Sequence, residues 1–122
     1  MRLLAIEAAA GQGAPLGVMT CCYSEPHDRA TFEQLEAIVQ RNGGEMLPVF
    51  LSCSEAELGR RIGNADRAAR GKVTTMRGLE KFRQDNGLNM VAVRHANCLR
   101  VDTEALPAEA AATEIVRHFC LA

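Results

Sequence analysis

The sequence lacks an excess of charge of either sign, and it lacks a long apolar run. Its 14 lysines and arginines nearly balance 15 aspartates and glutamates, for a net charge of −1. Because no global field then attracts nucleic acid or an anionic membrane surface, any basic site must be local. No apolar stretch approaches the length of a membrane span. The N-terminal MRLLAIEAAAGQG predicts an amphipathic helix and not a signal peptide, so we expect a cytoplasmic protein that binds neither nucleic acid nor membrane.

A cysteine framework and a metal-ligand pattern are also missing. The five cysteines are an odd number without framework spacing, which predicts reduced residues packed as small apolar side chains. The adjacent pair Cys21 and Cys22 would point to opposite faces of a strand. His27, His95 and His118 lie far apart in the sequence. We therefore predict no metal site.

What the sequence does contain is a regular alternation of strand-like and helix-like segments. With 122 residues, 48% apolar and 24% charged, it predicts one globular domain over residues 1–122. The expected order is α-β-α-β-α-α-β-α, which predicts a parallel sheet covered by helices on both faces. The predicted helices cover 2–10, 28–42, 54–63, 74–86 and 107–119, and the predicted strands 16–23, 46–53 and 98–102.

Positive charge is concentrated in one segment, Met46 to Lys72. An apolar strand is followed by Ser54-Glu55-Ala56-Glu57, which has the capping-box pattern of a helix N-terminus. Five cations follow: Arg60, Arg61, Arg67, Arg70 and Lys72. The stretch over 64–73 is polar and cationic, which predicts a loop or mobile flap. This pattern is typical of arginines placed over a phosphate. The alternative is a solvated surface on which Glu55, Glu57 and Asp66 pair with the arginines.

Three stretches together carry a resemblance to a known family: LPVFLSCSEAELGRRI, NADRAARGKVTT and LRVDTEALPAEAAATEIVRHF. In order and spacing they resemble the C-terminal two-thirds of P-loop small-molecule kinases, over roughly residues 1–120. The nearest likeness is to shikimate-kinase-like and gluconate-kinase-like proteins, often labelled AAA-type ATPases. The resemblance implies a three-layer α/β/α fold of P-loop NTPase type. It also implies ATP-dependent phosphotransfer to a small molecule, with ATP and Mg²⁺ as cofactors.

The resemblance also implies roles for individual residues. Arg61, Arg67 and Arg70 would be catalytic lid residues that contact the phosphates, and Arg61 and Arg67 would share cofactor binding with Asp102 and Thr103. Asp102 has an alternative role, the stabilisation of the turn after its strand. Tyr23 and His27 would face the phosphoryl acceptor, whose identity stays open.

The chain departs from the family in having no G-x-x-x-x-G-K-[ST] phosphate loop. Gly11-Gln12-Gly13 is too short, and Gly71-Lys72 follows a predicted helix instead of a strand. We expect an N-terminally truncated kinase fold without the family's first strand and phosphate loop, and hence weak ATP binding and no phosphotransfer by this chain alone. The missing strand would leave a gap between strands 16–23 and 46–53, which predicts a homo-oligomer. The alternative function is a non-enzymatic oligomeric α/β module that binds a nucleotide or small anion; a Rossmann-type binder ranks last, because no G-x-G-x-x-G follows a strand.

Overall fold

The computed structural model describes residues 2–13 and 15–121, which form two compact units. The first unit comprises the chain up to Pro48 together with Met90–Cys98, and the second comprises Val49–Asn89 and the chain from Leu99 onward. The elements are α1 (Arg2–Gly11), α2 (Arg29–Arg41), β1 (Val49–Ser52), α3 (Glu55–Ile62), α4 (Ala65–Ala69), α5 (Met76–Asp85), β2 (Leu99–Asp102) and α6 (Ala108–His118). The predicted mixed α/β class is therefore confirmed.

In the second unit, β1 and β2 pair in parallel with Val49 opposite Leu99 and Ser52 opposite Asp102. Over the described residues these are the two strands of the sheet. The strand predicted over 46–53 is shorter than expected and begins after Pro48, because proline has no N–H to donate to a ladder. Parallel pairing brings the carboxyl ends of β1 and β2 to the same edge, where Asp102 and Thr103 lie and where Arg61 contacts Thr103.

The strand predicted over 16–23 is wrong. These residues have no regular structure, and Leu16 and Val18 are 59% and 88% exposed. Only an isolated antiparallel bridge, between Ser24 and Met90, follows them. An apolar run indicates a preference for burial, but a strand also requires a neighbour for its backbone N–H and C=O groups.

The predicted flap over 64–73 contains a short helix, α4, and is not a simple loop. The helix ends at Ala69, and Gly71, two residues later, takes a positive φ of 64°. There the N–H of Lys72 donates to the carbonyl of Arg67 at 3.0 Å, and the N–H of Gly71 donates to that of Ala68 at 3.1 Å. This pair of bonds is the Schellman motif, so the cationic segment has a defined backbone.

Each unit has a small apolar core. In the first unit, Leu35 of α2 and Ala92 are buried, and the Phe32 ring meets the rings of Tyr23 and His95 edge-on at 6.2 and 6.0 Å. In the second unit the buried apolar side chains among the described residues are Ile62 of α3, Val101 of β2 and Ala111 of α6. Burial of a side chain such as Ile62 or Val101 contributes about 1.5–3 kcal/mol, and it fixes α3 and β2 within the second unit.

Candidate functional site

The candidate site lies at the carboxyl ends of β1 and β2. Beyond the strands, the N–H and the hydroxyl of Thr103 both donate to the carbonyl of Ser52, at 2.8 and 3.0 Å. The Asp102 carboxylate accepts the N–H groups of Glu104 and Ala105 at 2.9 and 3.4 Å, and so it closes the turn after β2. This geometry agrees with the turn role for Asp102 and leaves its predicted role in cofactor binding as a hypothesis.

The N-terminus of α3 opens at the same edge. Ser54 has extended backbone geometry and its hydroxyl accepts the N–H of Glu57 at 3.1 Å, which confirms the predicted cap. In a capping box the third helical residue would return a carboxylate to the Ser54 N–H. Here the carboxylate that accepts this N–H, at 3.1 Å, comes from Glu104. A side chain from the loop after β2 thus places negative charge at the positive end of the α3 dipole.

Arg61 and Thr103, two of the predicted site residues, are brought together. Two guanidinium nitrogens of Arg61 donate to the Thr103 hydroxyl and carbonyl, both at 2.8 Å, and its Nε donates to Glu57 at 2.7 Å. The Arg61 side chain is 35% exposed. Arginine has five N–H groups, so two stay outside these three contacts. The planar guanidinium of Arg61, its fork of donors, is thus held by three hydrogen bonds at the carboxyl edge of the sheet and keeps two further N–H groups.

The other two predicted lid arginines lie in α4 and directly after it. Arg67 donates through Nε and one terminal nitrogen to the carbonyl of Val73, at 3.3 and 3.2 Å. Arg70 pairs with Asp66 at 3.2 Å, and both side chains are at least 70% exposed. An ion pair this exposed contributes little to stability, so Arg70 can leave Asp66 at small cost.

Glu57 is the most strongly shifted carboxyl group of the site. Hydrogen bonds from Arg60 and Arg61 lower the pKa of Glu57 from 4.5 to about 2, and the same contact raises the pKa of Arg60. The Glu57 side chain is 12% exposed, whereas that of Arg60 is 74% exposed. Glu57 therefore stays ionised at neutral pH and orients Arg61 toward Thr103.

Tyr23 and His27, the residues predicted to face an acceptor, belong to the first unit. The Tyr23 hydroxyl and the Arg29 guanidinium each donate to Glu25 at 2.6 Å. Burial, followed by the bond to Glu25, raises the pKa of Tyr23, while its hydroxyl and Arg29 lower the pKa of Glu25. His27 is exposed in the loop before α2.

Two contacts of chemical interest had no signal in the sequence. One is the Glu104 carboxylate at Ser54, across 50 positions. The other is His95, whose Nε2 lies 2.6 Å from Glu36, 59 positions away. Because Nδ1 of His95 accepts the N–H of Asn97 at 3.0 Å, its Nε2 carries the proton and donates to Glu36. Neither residue type nor spacing indicates such pairs before the fold is known.

The cysteines differ from the prediction in part. Cys53 and Cys98 are half-buried, but Cys21 and Cys22 are exposed, because the strand expected to bury them is absent. Among residues 2–13 and 15–121, no three histidine, cysteine, aspartate or glutamate side chains are placed to hold a metal ion together. No helix in that part of the chain has the length and apolar character needed to cross a membrane.

Comparison with known proteins gives no relative from which a function could be transferred. No protein-family model matches the chain, and no curated protein or solved structure matches it significantly. A functional assignment therefore depends on the residues and their geometry.

Proposed function

We propose that the chain is the lid-bearing part of a P-loop small-molecule kinase fold and that it binds polyphosphate groups at the carboxyl edge of β1 and β2. In the complete fold the sheet would be the centre of a three-layer α/β/α domain in which ATP and Mg²⁺ support phosphotransfer to a small molecule. The residues present supply cations and not the G-x-x-x-x-G-K-[ST] cradle. The proposal includes a cytoplasmic location, where a nucleotide substrate is abundant.

The observation that carries the proposal is the guanidinium of Arg61, which hydrogen bonds to Glu57 and Thr103 hold in place. Its guanidinium lies at the carboxyl edge of a parallel strand pair, the usual position of ligands in open α/β sheets. Glu57 and Thr103 fix its orientation, and two N–H groups remain for a phosphate oxygen. A planar donor held in advance loses little entropy when it binds an anion.

Arg67 and Arg70 would add to the site by exchanging partners. The contact of Arg67 is to a neutral carbonyl, that of Val73, and a doubly charged phosphate group is a stronger acceptor. Arg70 would exchange the exposed Asp66 for phosphate. In phosphoryl transfer, cations placed in this way stabilise charge on the transferring group and exclude water.

The first test is calorimetric titration of the chain with inorganic tripolyphosphate, without metal. We expect one weak site, which Arg61→Ala weakens about tenfold because a charge-assisted hydrogen bond is lost. Arg61→Lys keeps the charge and should lose part of the affinity, since the fork is lost. The matched control is Arg117→Ala, which removes an exposed arginine that also pairs with a glutamate three residues earlier, Glu114.

Two results would contradict the proposal: no binding by the unchanged chain, or equal losses for Arg61→Ala and Arg117→Ala. Far-UV circular dichroism of each variant separates loss of binding from loss of fold. With ATP we expect similarly weak binding with little dependence on Mg²⁺, because no residue pattern for a metal-binding phosphate loop is present. A tight, Mg²⁺-dependent isotherm would show that these residues form a complete nucleotide site.

The second candidate is a non-enzymatic, homo-oligomeric α/β binding module. Two observations favour it. Glutamate or aspartate already pairs with Arg60, Arg61 and Arg70, as the solvated-surface alternative requires. In addition, Leu16, Val18 and Met19 are exposed within four consecutive positions, which is typical of a surface that meets another molecule. Association in solution without polyphosphate binding would favour this candidate.

A further inference from the structure

The carboxylate of Glu104 lies at the carboxyl edge of β1 and β2, bound to the backbone at the start of α3. It comes from the turn after β2 and accepts the Ser54 N–H at 3.1 Å. The N-terminus of a helix attracts anions, because its first N–H groups have no partner within the helix and its dipole is positive there. Glu104 is therefore an anionic group of the chain itself that occupies this helix end.

A short series of contacts joins this carboxylate to the guanidinium of Arg61. Arg61 donates to the hydroxyl and the carbonyl of Thr103, both at 2.8 Å, and Thr103 directly precedes Glu104. Thr103 donates its N–H at 2.8 Å to the carbonyl of Ser52, two positions before Ser54. A polyphosphate on Arg61 would therefore approach the Glu104 carboxylate, and like charges repel each other.

Glu104 is held weakly enough to leave this position. It is exposed, and its donor is a neutral backbone N–H instead of an arginine. Glu57, by contrast, accepts hydrogen bonds from Arg60 and Arg61 that lower its pKa to about 2. The pKa of Arg60 is raised chiefly by its bond to Glu57 and also by the charge of Glu104 through space. Unlike Glu57, Glu104 can leave its partner without breaking a hydrogen-bonded ion pair.

On the basis of the polyphosphate site proposed above, we propose that Glu104 is an autoinhibitory residue that a phosphate group displaces. Release of the carboxylate frees the Ser54 N–H, for which a doubly charged phosphate group is the stronger acceptor. A polyphosphate chain then offers one phosphate group to this helix end and another to the two N–H groups of Arg61 outside its present contacts. Glu104 thereby keeps the site closed to weakly charged anions.

The test is calorimetric titration of the unchanged chain and of Glu104→Gln with inorganic tripolyphosphate. Glutamine keeps an oxygen that can accept the Ser54 N–H but carries no charge, so we expect about tenfold tighter binding. Adding Arg61→Ala to Glu104→Gln should remove this gain. The control is Glu109→Gln, which removes the same charge from an exposed glutamate in the first turn of α6. It should change the affinity by less than about twofold, because salt screens a charge outside the contacts at this edge.

A nuclear magnetic resonance titration follows the two parts of the site separately in the unchanged chain. Tripolyphosphate should shift the Nε–H signal of Arg61 and also the backbone amide signal of Ser54, because Glu104 leaves the latter. Circular dichroism should show the native helix content in every variant.

The outcomes distinguish the autoinhibitory role from the polyphosphate site itself. A shift of the Arg61 signal alone, no gain in Glu104→Gln, or an equal gain in Glu109→Gln would overturn the role of Glu104 and leave the site in place. A gain that survives Arg61→Ala would also overturn it. Binding by neither the unchanged chain nor Glu104→Gln would contradict both proposals. Binding by Glu104→Gln alone would support complete autoinhibition and contradict polyphosphate binding by the unchanged chain.

Discussion

At the C-terminal end of α6, Cys120 adopts a backbone conformation that side chains other than glycine avoid. Its φ is 53°, and the N–H of Leu121 donates to the carbonyl of Val116 at 2.9 Å, which closes the helix as glycine does elsewhere. The left-handed conformation costs an L-residue about 1–2 kcal/mol, a cost that glycine avoids. Part of the stability gained by a change to glycine is lost again, because unfolded glycine has greater conformational freedom. We therefore expect Cys120→Gly to raise the free energy of unfolding by about 0.5–1 kcal/mol.

Urea denaturation followed by circular dichroism measures this change. Ala112→Gly is the matched control, since it places glycine at an exposed position inside the same helix. It should lower stability by about 1 kcal/mol. Equal signs for the two substitutions would show that the conformation at Cys120 is not strained.

At the scale of elements, the sequence predicted what depends on neighbouring residues. Ser54 caps α3 as expected, and Thr75 caps α5, whose predicted range began at 74. Gly43 and Gly87 take the positive φ that follows α2 and α5. Each of these signals acts within four residues of a helix end. The strand over 16–23 failed because pairing depends on a partner distant in the chain. The capping-box pattern failed for the same reason to predict which carboxylate accepts the Ser54 N–H, since that carboxylate belongs to Glu104, which follows β2.

In the candidate site, too, the local contact could be predicted from the sequence and the long-range contact could not. Glu57 and Arg61 are one helical turn apart, so their pairing was foreseeable from spacing alone. The contact of Arg61 with Thr103 spans 42 positions, and the sequence placed both residues in one site only through the resemblance to a kinase family. The exposure of Cys21 and Cys22 was not predicted, because their expected burial depended on the strand that does not form.

The first turn of α3 should make stability depend on pH in the acidic range. The pKa of Glu57 is about 2 in the folded chain and near 4.5 when unfolded, so the unfolded state binds the proton more readily. The contribution of Glu57 is thus fully present above pH 4.5 and is lost as the pH falls from 4.5 toward 2. We expect Glu57→Gln to lower stability at pH 7 and to flatten this part of the pH profile.

Chemical denaturation at a series of pH values from neutral to acidic checks the prediction. Glu109→Gln is the control, because Glu109 also lies in the first turn of its helix, α6. Its profile should keep the slope of the unchanged chain between pH 4.5 and 2. A flattened profile in both variants would assign the effect to net charge instead of the pairing with Arg60 and Arg61.

At the scale of the whole molecule, the question is whether the exposed apolar segment meets a second copy of the chain. Val18 is 88% exposed, with Leu16 and Met19 beside it, and water contact with such a segment is unfavourable. If two copies bury it, association should increase with concentration, and Val18→Lys should shift the chain to monomer because a buried lysine charge is costly. Sedimentation velocity over a concentration series measures this, with Thr113→Lys on the exposed face of α6 as the control. A chain that stays monomeric at every concentration, or equal behaviour of the two lysine variants, would exclude this segment as a self-association surface.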